Sequence, residues 1–314
     1  MQCNDKKIPG LVIAGLKGGT GKTVISLGIA AAWRNINIKV APFKKGPDYI
    51  DAGWLAQAAG RPCYNLDTFL CSPTQVKHSF IKNSSFADIA LVEGNRGLYD
   101  GIDTDGHTST AEIAKLLNLP IVLVLDCTKS TRTMAALLMG CIHFDPHVHI
   151  MGVILNQVAG KRHEGKVRDN IERFCNIPVF GSVPKLSADD FPERHMGLIP
   201  SVEHALAIQS IEAAAKVAKS RIDLDALYKA SIKFSTSHIL YEALEEDHKC
   251  SISPHTHYPL VISTDDKLTI DSISDNKPTI GSIDDKPTIG IIKDSAFQFY
   301  YPDNLEALEE KGAI

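Results

Sequence analysis

The sequence is poor in features that mark membrane, secreted or nucleic-acid-binding proteins. No apolar run in its 314 residues reaches the roughly 18–20 residues needed to cross a bilayer, and the polar segment 1–7 does not resemble a signal peptide. The 7 cysteines are scattered without a C-x-x-C pair, which is typical of reduced cytosolic thiols. The net charge is −4, and the chain has no dense basic cluster. We therefore expect a cytoplasmic protein with neither a membrane nor a nucleic-acid partner.

The charge is unevenly distributed along the chain. Residues 1–228 hold 25 Lys and Arg against 22 Asp and Glu, whereas residues 229–314 hold 8 against 15. The overall composition, 44% hydrophobic and 22% charged, is that of an ordinary globular protein. The charge difference thus indicates a change in organisation near residue 229.

Residues 1–228 alternate short apolar runs with helical periodicity. Strands are predicted at 11–14, 39–42, 88–92, 121–125, 150–155 and 177–180. Helices are predicted at 24–34, 53–60, 73–82, 109–118, 130–143, 164–175 and 201–219, with Pro73 in a first turn and a capping box beginning at Ser109. Strands that are apolar on both faces and joined by helices predict an α/β fold: a doubly wound, mostly parallel sheet with helices on both faces. A ligand should bind at the carboxyl ends of its strands.

This alternation stops in residues 229–287, which we interpret as an acidic linker. It carries an imperfect tandem repeat, DDKLTIDSI at 265–273, DNKPTIGSI at 275–283 and DDKPTIGII at 284–292. A strand at 289–292 and a helix at 302–311 follow, which are too little to bury a core. Residues 288–314 are therefore predicted to be the truncated start of a second α/β domain.

The run KGGTGKT at 17–23 lies between the first predicted strand and the first predicted helix. Its glycines allow backbone N–H groups to surround phosphate oxygens at a helix N-terminus. In this pattern Lys22 reaches the β- and γ-phosphates and the Thr23 hydroxyl ligates Mg²⁺. The loop predicts a P-loop NTPase fold with ATP and Mg²⁺ as cofactors.

The loop combines features of two subfamilies. Lys17 resembles the signature lysine of partition and division-site ATPases, which reaches across a dimer, but those proteins have glycine where Leu16 stands. Gly15 instead matches the loop of dethiobiotin-synthetase-like enzymes. The loop alone therefore leaves open a switch ATPase and a synthetase.

Acidic loops follow two more predicted strands. PFKKGPDYID at 42–51 contains Lys44, Asp48 and Asp51, and EGNRGLYDG at 93–101 begins at Glu93 and includes Asp100. The carboxyl ends of parallel strands meet at one edge of a sheet, so these four carboxylates should converge where the phosphate loop opens.

These two motifs resemble those of the cobyrinic acid a,c-diamide synthase family. Further matches follow in order: YNLD at 64–67, STA at 109–111, GVILN at 152–156 and ERHMGL at 193–198. The segment DSAFQFYY at 294–301, with DNL at 303–305 and GA at 312–313, resembles the opening of that family's class I glutamine amidotransferase domain. The similarity covers residues 9–228 and 288–314.

The resemblance implies an ATP-dependent amidation. ATP phosphorylates a peripheral carboxylate of a tetrapyrrole polycarboxylate, cobyrinate above all, and ammonia, normally derived from glutamine, displaces phosphate. The implied Mg²⁺ ligands are Thr23, Asp48 and Glu93. The implied catalytic residues are Asp51, Asp100, Lys44 and Tyr49. The implied nucleotide contacts are Lys17, Gly18, Gly19, Thr20, Gly21, Lys22, Thr23 and Asn156, the last at adenine, with Arg194 and His195 as an alternative anionic-substrate contact or loop salt bridge.

Two departures from the family pattern leave alternatives open. Amidating members usually have a small or polar residue where Lys17 stands, so this lysine either bridges a homodimer or faces solvent. The nucleophilic Cys and the His of a glutaminase should lie beyond residue 314, since Cys250 precedes that domain. The chain alone is therefore expected to use ammonia from solution or from another chain. A sirohydrochlorin-type or sirohaem-type substrate stays open, as does a partition-type switch ATPase.

Overall fold

The computed structural model describes residues 9–186, 206–234 and 300–312. Its strands are β1 Gly10–Gly15, β2 Val40–Lys45, β3 Tyr64–Leu66, β4 Ile89–Glu93, β5 Ile121–Asp126, β6 Ile150–Val158 and β7 Val179–Pro184. Its helices are α1 Lys22–Arg34, α2 Tyr49–Ala59, α3 Pro73–Ser84, α4 Thr110–Leu116, α5 Arg132–Phe144, α6 Lys161–Cys175, α7 Ala207–Arg221, α8 Leu224–Phe234 and α9 Pro302–Glu310.

The strands form one seven-stranded sheet in the order β3-β2-β4-β1-β5-β6-β7. Every strand pairing in it is parallel. The predicted doubly wound α/β sheet is thereby confirmed. The carboxyl ends of β2, β4 and β1 lie side by side, which brings the phosphate loop and both acidic loops to one edge.

Two separate apolar layers cover the sheet, one on each face. Phe43 and Phe80 belong to one layer, and Trp33 and Trp54 belong to the other. The strands contribute to both layers because successive side chains point to opposite faces. All six residues of β1, for example, are buried. This explains why the strands are uninterrupted apolar runs rather than alternating ones.

Helices α1 and α7 pack closely in the second layer. A Cβ added at Gly28 of α1 would lie 2.6 Å from the carbonyl oxygen of Ala214 in α7. Only glycine allows the two backbones to approach this far. The contact fixes α1, and therefore the phosphate loop at its N-terminus.

The predicted helix starts are confirmed in part. Pro73 occupies the first turn of α3, where Ser72 and Gln75 form a full capping box. At α4 the Ser109 side chain accepts the N–H of Glu112 at 3.3 Å. The Glu112 carboxylate, however, lies 2.6 Å from Lys115, so the predicted box is formed on one side only.

Two elements were missed by the sequence analysis. Strand β3 is three residues long and was not predicted. Helix α8 was not predicted either, and it continues through residue 228, where the first domain was expected to end. The division into 1–228, 229–287 and 288–314 stays a prediction, because the repeats and the strand expected at 289–292 lie outside the described residues. No helix in the described ranges is long and apolar enough to cross a membrane.

The C-terminal segment, residues 300–312, lies against the edge strand β3 and the neighbouring helix α3. Ser79 donates to the Asp303 carboxylate at 3.1 Å, and Tyr64 donates to Glu306 at 2.5 Å. Lys82 lies 3.0 Å from Glu306 and 2.6 Å from Glu310. A cavity of about 550 Å³ lies between this segment and the β3–α3 edge. Helix α9 thus contacts β3 and α3 through hydrogen bonds and ion pairs.

Candidate active site

The phosphate loop leaves β1 and enters α1 through Gly21, whose φ of 86° is left-handed. Lys22 is 7% exposed, and its ammonium donates to the carbonyl oxygens of Lys17 at 3.1 Å and Arg96 at 2.8 Å. Burial lowers the pKa of Lys22, against the opposing effect of Glu93. The loop and the Glu93–Asp100 segment are thereby joined through one lysine.

A second residue supports the loop from β6. The Asn156 amide donates to the carbonyl oxygen of Thr20 at 2.8 Å. A Cβ at Gly21 would lie 2.2 Å from the Asn156 nitrogen, so this position requires glycine. Asn156 therefore packs against the phosphate loop itself, and its predicted contact with adenine stays a prediction.

Lys44 is the centre of a buried charge cluster at the ends of β2 and β4. Its ammonium is 2% exposed and lies 2.6 Å from Asp51, 2.8 Å from Glu93 and 3.9 Å from Asp48. Thr23 donates to the same Glu93 oxygen at 2.8 Å and lies 3.5 Å from Asp51. The structure thus brings together three of the four predicted carboxylates, with the P-loop threonine beside them.

The pKa values of Glu93, Asp48 and Lys44 in this cluster are all raised. Full burial, with a further contribution from Asp51, raises the pKa of Glu93, while Lys44 opposes that shift. Burial and the nearby Asp51 likewise raise the pKa of Asp48. The pKa of Lys44 is raised: burial opposes its charge, but Glu93 and Asp51 together outweigh that effect. Lys44 is therefore a permanent cation beside two carboxylates, Glu93 and Asp48, that ionise less readily than usual.

The conformation of the loop between β2 and α2 is stabilised by hydrogen bonds between side chains and its backbone. Asp48 caps α2 by accepting the N–H of Asp51 at 3.0 Å. The Asn65 amide donates to the carbonyl oxygens of Gly46 at 2.7 Å and Asp48 at 3.1 Å. Asn65 belongs to the YNLD motif, but its contact with this loop was not predicted.

Asp100, Lys17 and Tyr49 are further predicted site residues outside the Lys44 cluster. The Asp100 carboxylate accepts the N–H of Gly97 at 2.9 Å. Lys17 is 70% exposed, and its ammonium lies 3.9 Å from Asp126. Tyr49 packs edge-on against Tyr301, with ring centroids 5.7 Å apart. Arg194 and His195 lie outside the described residues.

Tyr301 is a contact of the site that sequence reasoning missed. Its hydroxyl donates to the carbonyl oxygen of Pro47 at 2.8 Å. No spacing rule could have found a contact between residues 254 positions apart. It places the C-terminal segment directly on the loop that carries Asp48 and Asp51.

The donor set near Thr23 suits a magnesium ion. One oxygen of the fully buried Glu93, Oε2, has no hydrogen-bond partner in the structure. Hydroxyl and carboxylate oxygens are the hard ligands that Mg²⁺ prefers, and it usually takes one or two carboxylates together with phosphates and water. No trio of His, Cys, Asp or Glu within 9–186, 206–234 and 300–312 forms a preassembled metal site. Thr23, Asp48 and Glu93 thus fit an ion that binds together with nucleotide.

Comparison with known proteins adds a family match and several relatives. Residues 11–199 match CbiA, the CobQ/CobB/MinD/ParA nucleotide binding domain. The chain is 38% identical over 311 residues to a cobyrinate a,c-diamide synthase of Magnetococcus marinus, covering 98% of this chain and 59% of that protein. It is 37% identical over 302 residues to the enzyme of the same name from Caldanaerobacter subterraneus, covering 96% and 58%.

A third relative covers a shorter stretch. A hydrogenobyrinate a,c-diamide synthase of Streptomyces coelicolor is 42% identical over 222 residues, which is 70% of this chain and 46% of that protein. The chain therefore spans less than two thirds of the length of these relatives.

Proposed function

The chain belongs to the CobQ/CobB/MinD/ParA nucleotide-binding domain family, and from that premise we propose that it is a ligase that amidates a tetrapyrrole. The reaction is the ATP-dependent conversion of the a and c acetate side-chain carboxylates, of cobyrinate above all, through an acyl-phosphate. Two relatives carry the name cobyrinate a,c-diamide synthase, which supports this substrate class.

One observation carries the proposal: the buried Lys44 between Asp51 and Glu93, beside Thr23 of the phosphate loop. A nucleotide loop alone would serve many NTPases. A buried cation next to the expected γ-phosphate position, with a partly accessible carboxylate bonded to it, suits a reaction between two anions. Asp51 retains 13% side-chain exposure, whereas Glu93 has none.

The chemistry requires a change of leaving group. A substrate carboxylate oxygen attacks the γ-phosphorus, the bond to the β-phosphate oxygen breaks, and ADP leaves. The ammonia lone pair then attacks the acyl carbon, phosphate departs with the C–O bonding electrons, and the nitrogen loses a proton to give the amide. Catalysis of the first step is mainly positioning and charge neutralisation.

The site residues divide between neutralising the phosphate charge and positioning the reactants. Lys22 and Lys44 offset the charge of the transferring phosphoryl group. Asp51 and Tyr49, with Asp100 on the neighbouring loop, orient the substrate carboxylate or ammonia. Mg²⁺, held by Thr23, Asp48 and Glu93, would neutralise phosphate charge when bound with ATP. Asn156 and residues 17–23 would hold the nucleotide.

Amide formation by the purified chain tests the proposal. The chain is incubated with ATP, Mg²⁺ and ammonium, with cobyrinate, hydrogenobyrinate or a sirohydrochlorin, and products are analysed by mass spectrometry. We expect the mass decrease of an acid-to-amide conversion at up to two carboxyl groups, with release of ADP. ATP hydrolysis unaffected by every macrocycle, with no amide formed, would instead favour the switch-ATPase alternative.

The nitrogen donor and the oligomeric state need separate measurements. Parallel reactions with glutamine in place of ammonium show which donor the chain uses, and we expect ammonium to be required. The exposed Lys17 is accessible to a second copy as well as to solvent. Sedimentation of the wild type and of Lys17→Ala, each with ATP and Mg²⁺, distinguishes a lysine that bridges a dimer from one that faces solvent. A dimer that is lost in the variant would establish the bridging lysine.

A further inference from the structure

We propose that Tyr301, in the C-terminal segment, is a positioning residue that holds the Asp48–Asp51 loop of the active site through the Pro47 carbonyl. This inference rests on the proposed function for its catalytic meaning. Its structural part concerns only contacts within this chain.

The loop in question has few internal constraints. Gly46 adopts a left-handed φ of 80°, and Pro47 has no N–H to donate. The Gly46 N–H donates to Leu66 at 2.8 Å, which fixes one end of the turn. The side chains that bind the loop carbonyls must therefore determine the path of the residues after the turn.

Three successive carbonyls, at positions 46, 47 and 48, are bound by side chains from elsewhere. Asn65 of β3 donates to the first and the third, at 2.7 and 3.1 Å. Tyr301 donates to the middle one at 2.8 Å. The two side chains together orient the peptide planes of this turn. These planes place Asp48 at the N-cap of α2 and Asp51 beside Lys44.

Tyr301 is suited to donate this hydrogen bond at all ordinary pH values. Burial, followed by the nearby Asp48, raises the pKa of its phenol, so the proton stays on the hydroxyl. Its ring also packs against Tyr49, the first residue of α2. Tyr301 therefore contacts residues on both sides of Asp48: its hydroxyl binds the carbonyl of Pro47, and its ring packs on the ring of Tyr49.

Glu310, near the end of the C-terminal segment, is bonded to α3 and not to this loop. Glu310 pairs with Lys82 of α3 at 2.6 Å. Glu310→Gln should therefore weaken the docking of α9 without changing the hydrogen bonds of the loop. It is the matched control for Tyr301→Phe, which keeps the ring and removes only the hydroxyl.

Hydrogen exchange of the full chain, read by mass spectrometry in the peptide covering 43–54, tests the structural part. The Asp51 N–H, bonded to Asp48, is the reporter. We expect Tyr301→Phe to speed its exchange by about 2- to 10-fold, the effect of losing one neutral hydrogen bond. We expect Glu310→Gln to leave it unchanged. Wild-type exchange in Tyr301→Phe, or equal acceleration in both variants, would overturn the assignment.

The catalytic part is read from steady-state amidation. We expect Tyr301→Phe to lower kcat by a similar factor with an unchanged KM for ATP, and Glu310→Gln to match the wild type. Faster loop exchange with an unchanged kcat would overturn the positioning role. Failure of the wild type to amidate would overturn the proposed function, while the exchange result would still decide the contact.

Discussion

Lys44 determines the charge balance of the site at the scale of single residues. Its ammonium is almost fully buried and contacts two carboxylates within hydrogen-bond distance. Removing one partner of a buried ion pair typically costs about 3–5 kcal/mol, because a charge is left uncompensated. Variants at this cluster must therefore be checked for folding as well as for activity.

Asp51→Ala is expected to lower turnover far more than nucleotide affinity. Asp51 contacts Lys44 and is the more exposed of that lysine's two closest carboxylate partners, so it can face the second substrate. We expect a loss of about 10²-fold or more in kcat, typical of a misplaced reacting group. Titration of ATP binding alongside steady-state kinetics measures both effects.

The control for this variant is Asp225→Ala, which removes an exposed carboxylate on α8 that pairs with the surface Lys229. It should change neither quantity. If Asp51→Ala weakens ATP binding as much as it lowers kcat, Asp51 belongs to the nucleotide site instead.

Glu93→Gln is expected to change the pH dependence of stability. Burial raises the folded-state pKa of Glu93 above its ordinary 4.5. The folded state therefore binds more protons than the unfolded state just above that pH, and the contribution of Glu93 to stability falls as the pH rises through this window. The free energy of unfolding of Glu93→Gln, relative to wild type, should increase from pH 4.5 towards neutrality.

Urea denaturation of both proteins across that range measures the difference. The opposite slope, with the wild type gaining relative stability as the pH rises, would mean that the Lys44 ion pair outweighs burial and depresses the pKa of Glu93.

At the scale of elements, two glycines inside helices provide a matched pair. Gly28→Ala should destabilise the protein by about 1–3 kcal/mol, because its new methyl group would meet the backbone of α7 at 2.6 Å. Gly140 lies in α5 with nothing within 4 Å of an added Cβ. Gly140→Ala should therefore stabilise by about 0.5–1 kcal/mol.

Thermal and denaturant unfolding of the two variants measures whether Gly28→Ala is destabilised and Gly140→Ala is stabilised. Equal effects at the two positions would contradict the close packing of α1 on α7, since helix propensity alone would then explain both.

Strand β3 and helix α8 were missed for different reasons. Strand β3 is three residues at the sheet edge, too short for any pattern to emerge. Helix α8 crosses the charge change near residue 229, which suggested an end to the folded part. Leu227 and Ser231 are nevertheless buried, one on each side of that position. Net charge describes the surface of a segment and does not show where packing stops.

At the scale of the whole molecule, Lys82→Met should loosen α9 without weakening the core. Lys82 contributes two ion pairs to α9 but is 41% exposed, so each pair is worth only about 0.2–1 kcal/mol. We expect faster amide exchange in 302–310 and unchanged exchange in β1, β4 and β5. Loss of protection in those strands would show that α9 is needed for the global fold.

The position of the site could be predicted from the sequence because it follows from the parallel topology of the sheet. Strand ends meet at one edge, so a P-loop and two acidic loops were expected to converge, and the Lys44 cluster does lie there. The resemblance to the cobyrinic acid a,c-diamide synthase family is confirmed by the family match and by relatives of that name. The backbone contacts of Asn65 and Tyr301 were not predictable, because they depend on tertiary placement rather than on any local pattern.

The all-parallel sheet has a consequence for the order in which a ribosome delivers this fold. β1 lies near the start of the chain, yet its neighbours are β4, which ends at Glu93, and β5, which ends at Asp126. At about 5–20 residues per second, β1 waits on the order of ten seconds for both neighbours. The phosphate loop is therefore translated well before the strands that hold β1 in the sheet. During that interval its apolar strand has no sheet partner, a state in which unfinished chains are prone to aggregate.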